Sequence, residues 1–160
     1  MLEDRLVELL IKNNLHISFY ESCTGGMLAA RIINVSNASK VLNESLVTYS
    51  NEAKMKYLKV NPLTIDKYDV VSEEVAKEMV VGGKLLTKSE VNISTTGVAG
   101  PTGGTDLIPV GTVCFGILIN DKLKTFKKNF NDIGRNKVRE EATNFILEKA
   151  IKLLEEYYEK

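Results

Sequence analysis

Histidine is nearly missing from this 160-residue chain. His16 is the only one, which excludes a zinc site built on two or three imidazoles and leaves any Ser-His-Asp triad to run through that single residue. Cysteine is scarce as well. Cys23 and Cys114 are too few for a disulfide framework and show no C-x-x-C spacing, so they read as reduced thiols. The apolar runs are only a few residues long, far short of the roughly 20 that cross a bilayer, and Met1-Leu2-Glu3-Asp4 is not a signal-peptide start. A cytoplasmic protein without a membrane partner is expected. An excess of either charge is missing too: 21 Lys and Arg balance 21 Asp and Glu, which removes the positive field that nonspecific nucleic-acid binding needs. Recognition is left to a local site.

What is present is ordinary globular material, 44% hydrophobic and 26% charged, enough for one core and one domain over residues 1–160. Leu2, Leu6, Leu9 and Leu10 recur at helical spacing and predict a first helix ending near Asn13-Asn14. Residues 15–20 read as a strand, followed by Glu21-Ser22-Cys23-Thr24-Gly25-Gly26 and a helical pattern over 27–33. Residues 46–49 read as a second strand, running into Ser50 or Asn51 as the cap of a helix that carries Lys54 and Leu58. Asn61-Pro62 reads as a break, Ser72 opens another helix, and Gly82-Gly83 is expected to weaken it. Residues 91–96 read as a strand entering the glycine-rich 97–105. Asn120-Asp121 marks a hairpin between strands at 110–119 and 123–130, and apolar steps of 3 or 4 from Val138 to Tyr157 describe a long closing helix.

Strands alternating with helices, then a hairpin, predict an α/β fold: a three-layer α/β/α sandwich with a mixed, mainly parallel central sheet. Ligands of such folds settle at the carboxyl ends of the parallel strands. Segments 21–26, 48–54 and 96–105 each follow a predicted strand and are expected to share one edge.

Within them, Ser22 sits between a strand and a helix start, where unsatisfied N–H groups can hold an anion or oxyanion, with Thr24 and Gly25 as donors. It is a nucleophile candidate, or Ser22 or Thr24 simply caps the helix. Cys23 is a rival nucleophile or a small buried apolar residue. With one His in the chain, a Lys of lowered pKa is the natural proton acceptor; Lys54 qualifies, five residues after Tyr49, unless it is a solvated helix lysine and Tyr49 a half-buried strand end. S-x-x-K spacing is absent, so Ser22 and Lys54 would have to meet across the fold. The 96–105 segment is neither a Walker A nor a G-x-G-x-x-G loop. Its glycines, with Thr102 and Thr105, form either an anion nest or a structural loop. Arg135 and Arg139, one helical turn apart, could add a fork for phosphate.

Five ordered motifs carry a resemblance over nearly the whole chain: Glu21 to Gly26, Thr48-Tyr49-Ser50-Asn51-Glu52-Ala53-Lys54, Val71-Ser72-Glu73-Glu74-Val75-Ala76, Thr95 to Thr105, and Pro109-Val110-Gly111-Thr112-Val113. In these the chain resembles the CinA carboxyl-terminal domain family, which includes nicotinamide-nucleotide amidohydrolase. The resemblance implies hydrolysis of the carboxamide of nicotinamide mononucleotide, without metal or cofactor, by Ser22 as nucleophile, Lys54 as general base and Tyr49 assisting. It implies a small-molecule nucleotide as partner, a mixed-sheet α/β/α fold and a homo-oligomer. Substrate contacts are expected from Thr24, Gly25, Thr96, Gly97, Gly100, Gly103, Gly104, Thr105 and Arg139, the 5′-phosphate falling to Gly103, Gly104, Thr105 and Arg139. Larger members have an additional amino-terminal domain, which this chain is expected to lack.

Two positions depart from the family pattern. Gly-Asp-Arg before the last helix is replaced by Ile133-Gly134-Arg135 with Asp132 shifted, and the usual Gly-Ala before Val-Ser gives way to Val70 ahead of Val71-Ser72. Two other readings remain open at this point: a binding module for pyridine nucleotides without turnover, and an amidase or esterase for another small substrate.

Overall fold

The computed structural model describes residues 1–160. Eleven principal elements follow one another: α1 (Leu2–Lys12), β1 (Ile17–Glu21), α2 (Met27–Ile33), β2 (Leu46–Val47), α3 (Asn51–Leu58), α4 (Pro62–Tyr68), α5 (Glu73–Thr87), β3 (Val91–Gly97), β4 (Thr112–Ile119), β5 (Lys122–Asn129) and α6 (Arg135–Tyr158), with a short 3-10 turn at Ala38–Lys40. The five strands form one mixed sheet in the order β2-β1-β3-β4-β5. β1 runs parallel to β2 and to β3, with Tyr20 beside Leu46 and Ile17 beside Val91; β3, β4 and β5 are joined antiparallel.

Side-chain alternation along the strands separates two cores. Ile17, Phe19, Ile93, Phe115 and Ile117 face α1, α2 and α6 and belong to a cluster of 26 buried residues that includes Leu6, Val138 and Leu147. Tyr20 and Leu118 face the other way, joining Leu58, Val75 and Met79 beneath α3 and α5. Helices therefore cover both faces, as the alternating pattern requires. No helix is long and apolar enough to cross a membrane.

Gly82-Gly83 does not interrupt α5, contrary to the expectation from helix propensity. A Cβ on Gly82 would stand 1.6 Å from the Leu58 carbonyl oxygen, and one on Gly83 would stand 2.2 Å from the buried Tyr20 ring. The glycines are what let α5 lie this close to α3 and the sheet. Gly82→Ala is accordingly expected to destabilise the fold by about 3 kcal/mol, the scale of overpacking a tight interior. Urea unfolding measures it, and an alanine variant of unchanged midpoint would contradict the close approach.

Other elements also differ from the sequence reading. Asn61-Pro62 starts a helix instead of merely breaking the chain, because the Asn61 side chain accepts from Leu63 N–H and Pro62 occupies the first helical position, where no N–H is needed. β2 is two residues long, and α6 begins at Arg135, ahead of the apolar spacing that starts at Val138. Ser50 and Ser72 do cap α3 and α5, accepting from Ala53 and Val75 N–H.

With β2, β1 and β3 adjacent and parallel, their carboxyl ends open on one edge of the sheet. Segments 21–26, 48–54 and 96–105 meet there, at the edge where α/β sheets bind ligands.

Candidate active site

β1 ends at Glu21, and the chain turns through Ser22 to Gly26 before α2 begins. Gly25 and Gly26 take φ of +55° and +102°, values open to glycine, and Gly25 N–H closes the turn on Ser22 O at 3.0 Å. Neither Ser22 nor Thr24 caps the helix that follows, whose cap position is Gly26 and carries no side-chain bond. The buried Glu21 carboxylate fills that end instead, accepting from Leu28 N–H at 3.0 Å and Ala29 N–H at 3.2 Å. The expected oxyanion donors at the helix start are thereby corrected. Met27 N–H bonds to Thr24 O at 3.0 Å, the next two helical N–H groups are taken by Glu21, and Gly25 N–H is spent within the turn. Cys23, Thr24 and Gly26 N–H are the amides that this turn leaves without an internal partner, and of these residues Cys23 lines the pocket.

Lys54 arrives from the neighbouring strand, in the first turn of α3, where the Ser50 cap directs the chain from β2 back across the sheet edge. It is not a solvated helix lysine: only 1% of it is exposed. Its Nζ lies 3.0 Å from Ser22 Oγ, 2.9 Å from Thr48 O and 3.1 Å from Tyr49 O. Burial pushes its pKa down from the ordinary 10.5 to about 8. A neutral amine fits these three neighbours. Its two N–H bonds reach the two carbonyls, and its lone pair is left for the Ser22 hydroxyl.

Cys23 is buried beside this pair, and burial raises its pKa to about 11. The thiol is protonated near neutral pH and lacks the thiolate that a cysteine nucleophile needs. His16 stands at the opposite end of β1 and pairs with Glu90, its Nδ1 3.2 Å from Oε1, so it forms no triad with Ser22.

Ser22 and Lys54 open into a pocket of about 300 Å³ whose walls include Tyr49, Asn51, Thr96, Gly97, Thr102, Gly103 and Arg135. Tyr49 is mostly exposed, and its hydroxyl accepts from Arg135 Nη2 at 2.9 Å; toward Lys54 it offers a backbone carbonyl. Thr96 lines the wall while its hydroxyl donates to Val70 O at 2.9 Å. Gly97 is required by close packing, since a Cβ there would come within 2.8 Å of Val113 and 3.1 Å of Cys23 Sγ.

Several expected contacts lie elsewhere. Arg139 does not line the pocket; it holds the turn after Ser22, donating to Cys23 O at 2.9 Å and Thr24 O at 3.2 Å. Arg135, one turn earlier, takes the pocket position and donates to Gly100 O at 2.8 Å. Helical periodicity alone could not choose between them, because each is separated from the site by a loop whose path the sequence does not reveal. Gly104 packs against Val110, and the Thr105 hydroxyl accepts from Ile108 N–H at 3.0 Å, which turns that end of the loop away from the pocket. Thr24 and Gly25 also lie behind the wall, and Gly100 contributes its carbonyl to Arg135. Asn51, read from the sequence only as a possible helix cap, and Asp69 also line the pocket, and neither was expected as a site residue. For Asn51 the signal was available in its motif, three residues before Lys54. For Asp69 it was not, because it reaches the wall through a φ of +77° that its residue type does not announce. No three His, Cys, Asp or Glu side chains come together as a metal would require.

Residues 1–156 match the model of the CinA C-terminal domain. The chain belongs to that family. CinA-like proteins of Petrotoga mobilis and Fusobacterium nucleatum are 42% and 49% identical over 98% and 88% of this chain. The CinA domain aligned here spans 39% and 34% of the length of these curated relatives. Among solved structures, a CinA superfamily protein of Klebsiella pneumoniae superposes with a TM-score of 0.92 at 31% identity, covering 96% of this chain and 95% of that one. A CinA superfamily protein of Escherichia coli gives 0.89 at 35% identity, covering 96% and 87%. The mixed-sheet α/β fold described above is the fold of this family.

Proposed function

We propose that this CinA domain is a metal-independent amidohydrolase that converts nicotinamide mononucleotide to nicotinate mononucleotide and ammonia. The observation that carries the reading is a buried lysine with a pKa of about 8 whose Nζ stands 3.0 Å from a serine hydroxyl, both lining a pocket at the carboxyl ends of the parallel strands. Ser22 Oγ attacks the carboxamide carbon while its proton passes to Lys54 Nζ. The oxyanion of the tetrahedral intermediate is assigned to the N–H of Cys23, which follows the nucleophile, lines the pocket and has no backbone partner. Lys54 then returns the proton to the departing nitrogen, which leaves as ammonia. Water, deprotonated by the same amine, cleaves the Ser22 ester and releases the carboxylate product.

The 5′-phosphate is assigned to Arg135 with Thr102 and Gly103, the cationic and glycine-rich wall of the pocket. Arg135→Ala is expected to raise KM for the mononucleotide about 30-fold, in the range of a lost charged hydrogen bond, and to leave KM for the phosphate-free riboside unchanged. Equal effects on both substrates would move the phosphate elsewhere.

Ammonia release from the mononucleotide by purified protein in excess EDTA tests the function itself. Turnover that survives chelation supports the Ser-Lys route. Binding without ammonia would indicate a pyridine-nucleotide-binding module, and turnover confined to other amides or esters would indicate a different substrate.

A further inference from the structure

Behind Ser22 lies a set of buried polar groups with no part in the chemistry above. Ser22 N–H donates to Thr95 Oγ1 at 3.2 Å, the Thr95 and Thr24 hydroxyls are 2.9 Å apart, and Thr24 Oγ1 donates to Glu21 Oε1 at 2.6 Å. Glu21, Thr24 and Thr95 are each 1% exposed or less, and none of them lines the pocket.

The direction of these bonds follows from the donor inventory. A carboxylate has no proton to give, so Thr24 must donate to Glu21. Having spent its only proton, Thr24 can meet Thr95 only as acceptor, so Thr95 donates to it. Thr95 then presents a lone pair, which is what the Ser22 N–H requires. Without Glu21 each hydroxyl could turn either way. With it, both rotors are set and the nucleophile's backbone is tied to β3, the strand beside its own.

We propose that Glu21, Thr24 and Thr95 are positioning residues, a one-way hydrogen-bond chain that fixes the Ser22 backbone and hence the aim of its Oγ between Lys54 and the substrate. This rests on the amidohydrolase reading for its catalytic consequence but not for its geometry. The same Glu21 carboxylate also ends α2, accepting from Leu28 and Ala29 N–H, so one side chain couples the helix start to the nucleophile. Glu21→Gln would place an NH₂ group against one of those three donors and disturb both, which makes it a poor discriminator.

Thr95 offers the clean test, because valine is isosteric with threonine and suits a buried strand, while serine keeps the hydroxyl. Wild type, Thr95→Val and Thr95→Ser are compared for turnover of nicotinamide mononucleotide and for solvent exchange of the Ser22 amide proton by NMR. Thr95→Val is expected to lose about 100-fold in kcat with KM within about twofold, the size of effect that misplacing a reacting group produces. Its Ser22 amide should exchange faster, and Thr95→Ser should restore both readouts. Thr24→Val should reproduce the Thr95→Val result. A Thr95→Val protein with full kcat and a protected Ser22 amide overturns the proposal, as does a change in KM alone, which would mean that Thr95 contacts substrate. If wild type releases no ammonia, the functional reading fails. The exchange data then decide the chain by themselves: protection lost in Thr95→Val and regained in Thr95→Ser upholds it, and unchanged protection refutes it.

Discussion

Ser22→Ala is expected to lower ammonia release by about 10⁴-fold or more, the range seen when the nucleophile of a serine hydrolase is removed. Ligand affinity and melting temperature should stay close to wild type. The reason is local. The side chain of Ser22 touches Lys54 Nζ at 3.0 Å and stands only 3.5 Å from Tyr49 O, while its N–H and C=O, which hold the turn together, are unaffected by the change. Cys23→Ser is the control. A thiol whose pKa burial has raised to about 11 is a poor nucleophile at pH 7, so that variant should keep most of its activity. An active Ser22→Ala enzyme together with a dead Cys23→Ser enzyme would reverse the assignment.

Lys54→Arg is expected to be as inactive as Lys54→Met. Arginine restores the charge and approximate reach but cannot release a proton near neutral pH, so it cannot accept one from Ser22. In the wild type kcat should rise with pH through an apparent pKa of about 8, because the working form of Lys54 is the neutral amine. Stability should follow the same titration. The folded pKa lies below the unfolded value of 10.5, so between about 8 and 10.5 the unfolded chain binds more protons and the fold gains stability as pH rises. Below that window the folded protein carries a buried ammonium ion at a cost. Lys54→Met removes the cost, so calorimetry at pH 7 should find it with a higher melting temperature than wild type despite its lost activity. An active Lys54→Arg enzyme, or a flat pH profile between 7 and 9, would remove Lys54 from the base role.

How much of this was legible beforehand depends on the range of the interaction concerned. The leucine spacing of α1 and the Ser50 and Ser72 caps are contacts within a few residues, and they stand in the structure where the sequence places them. The alternation of strand and helix was likewise enough to bring three loops to one sheet edge, because parallel strands joined by crossovers must all point their carboxyl ends the same way. Gly82-Gly83 was misjudged for the complementary reason. Propensity treats glycine as a weakness of its own helix, whereas here it serves a neighbour, Leu58 O and the Tyr20 ring.

Residue types and their order thus determined the fold class, the family, the exclusion of a zinc site built on two or three imidazoles and the short set of candidates that includes Ser22 and Lys54. Tertiary structure decided which of them meet. Ser22 and Lys54 are 32 positions apart and touch only because β1 and β2 are neighbours in the sheet. Arg135 was chosen over Arg139 by the rotation of α6 against the Ser22 turn, and the helix start was given to Glu21 instead of an oxyanion by the path of five residues. The pKa of Lys54 belongs to this second group as well. It is set by how much water the folded chain excludes, a quantity that no residue carries in its identity and that exists only once the layers have packed.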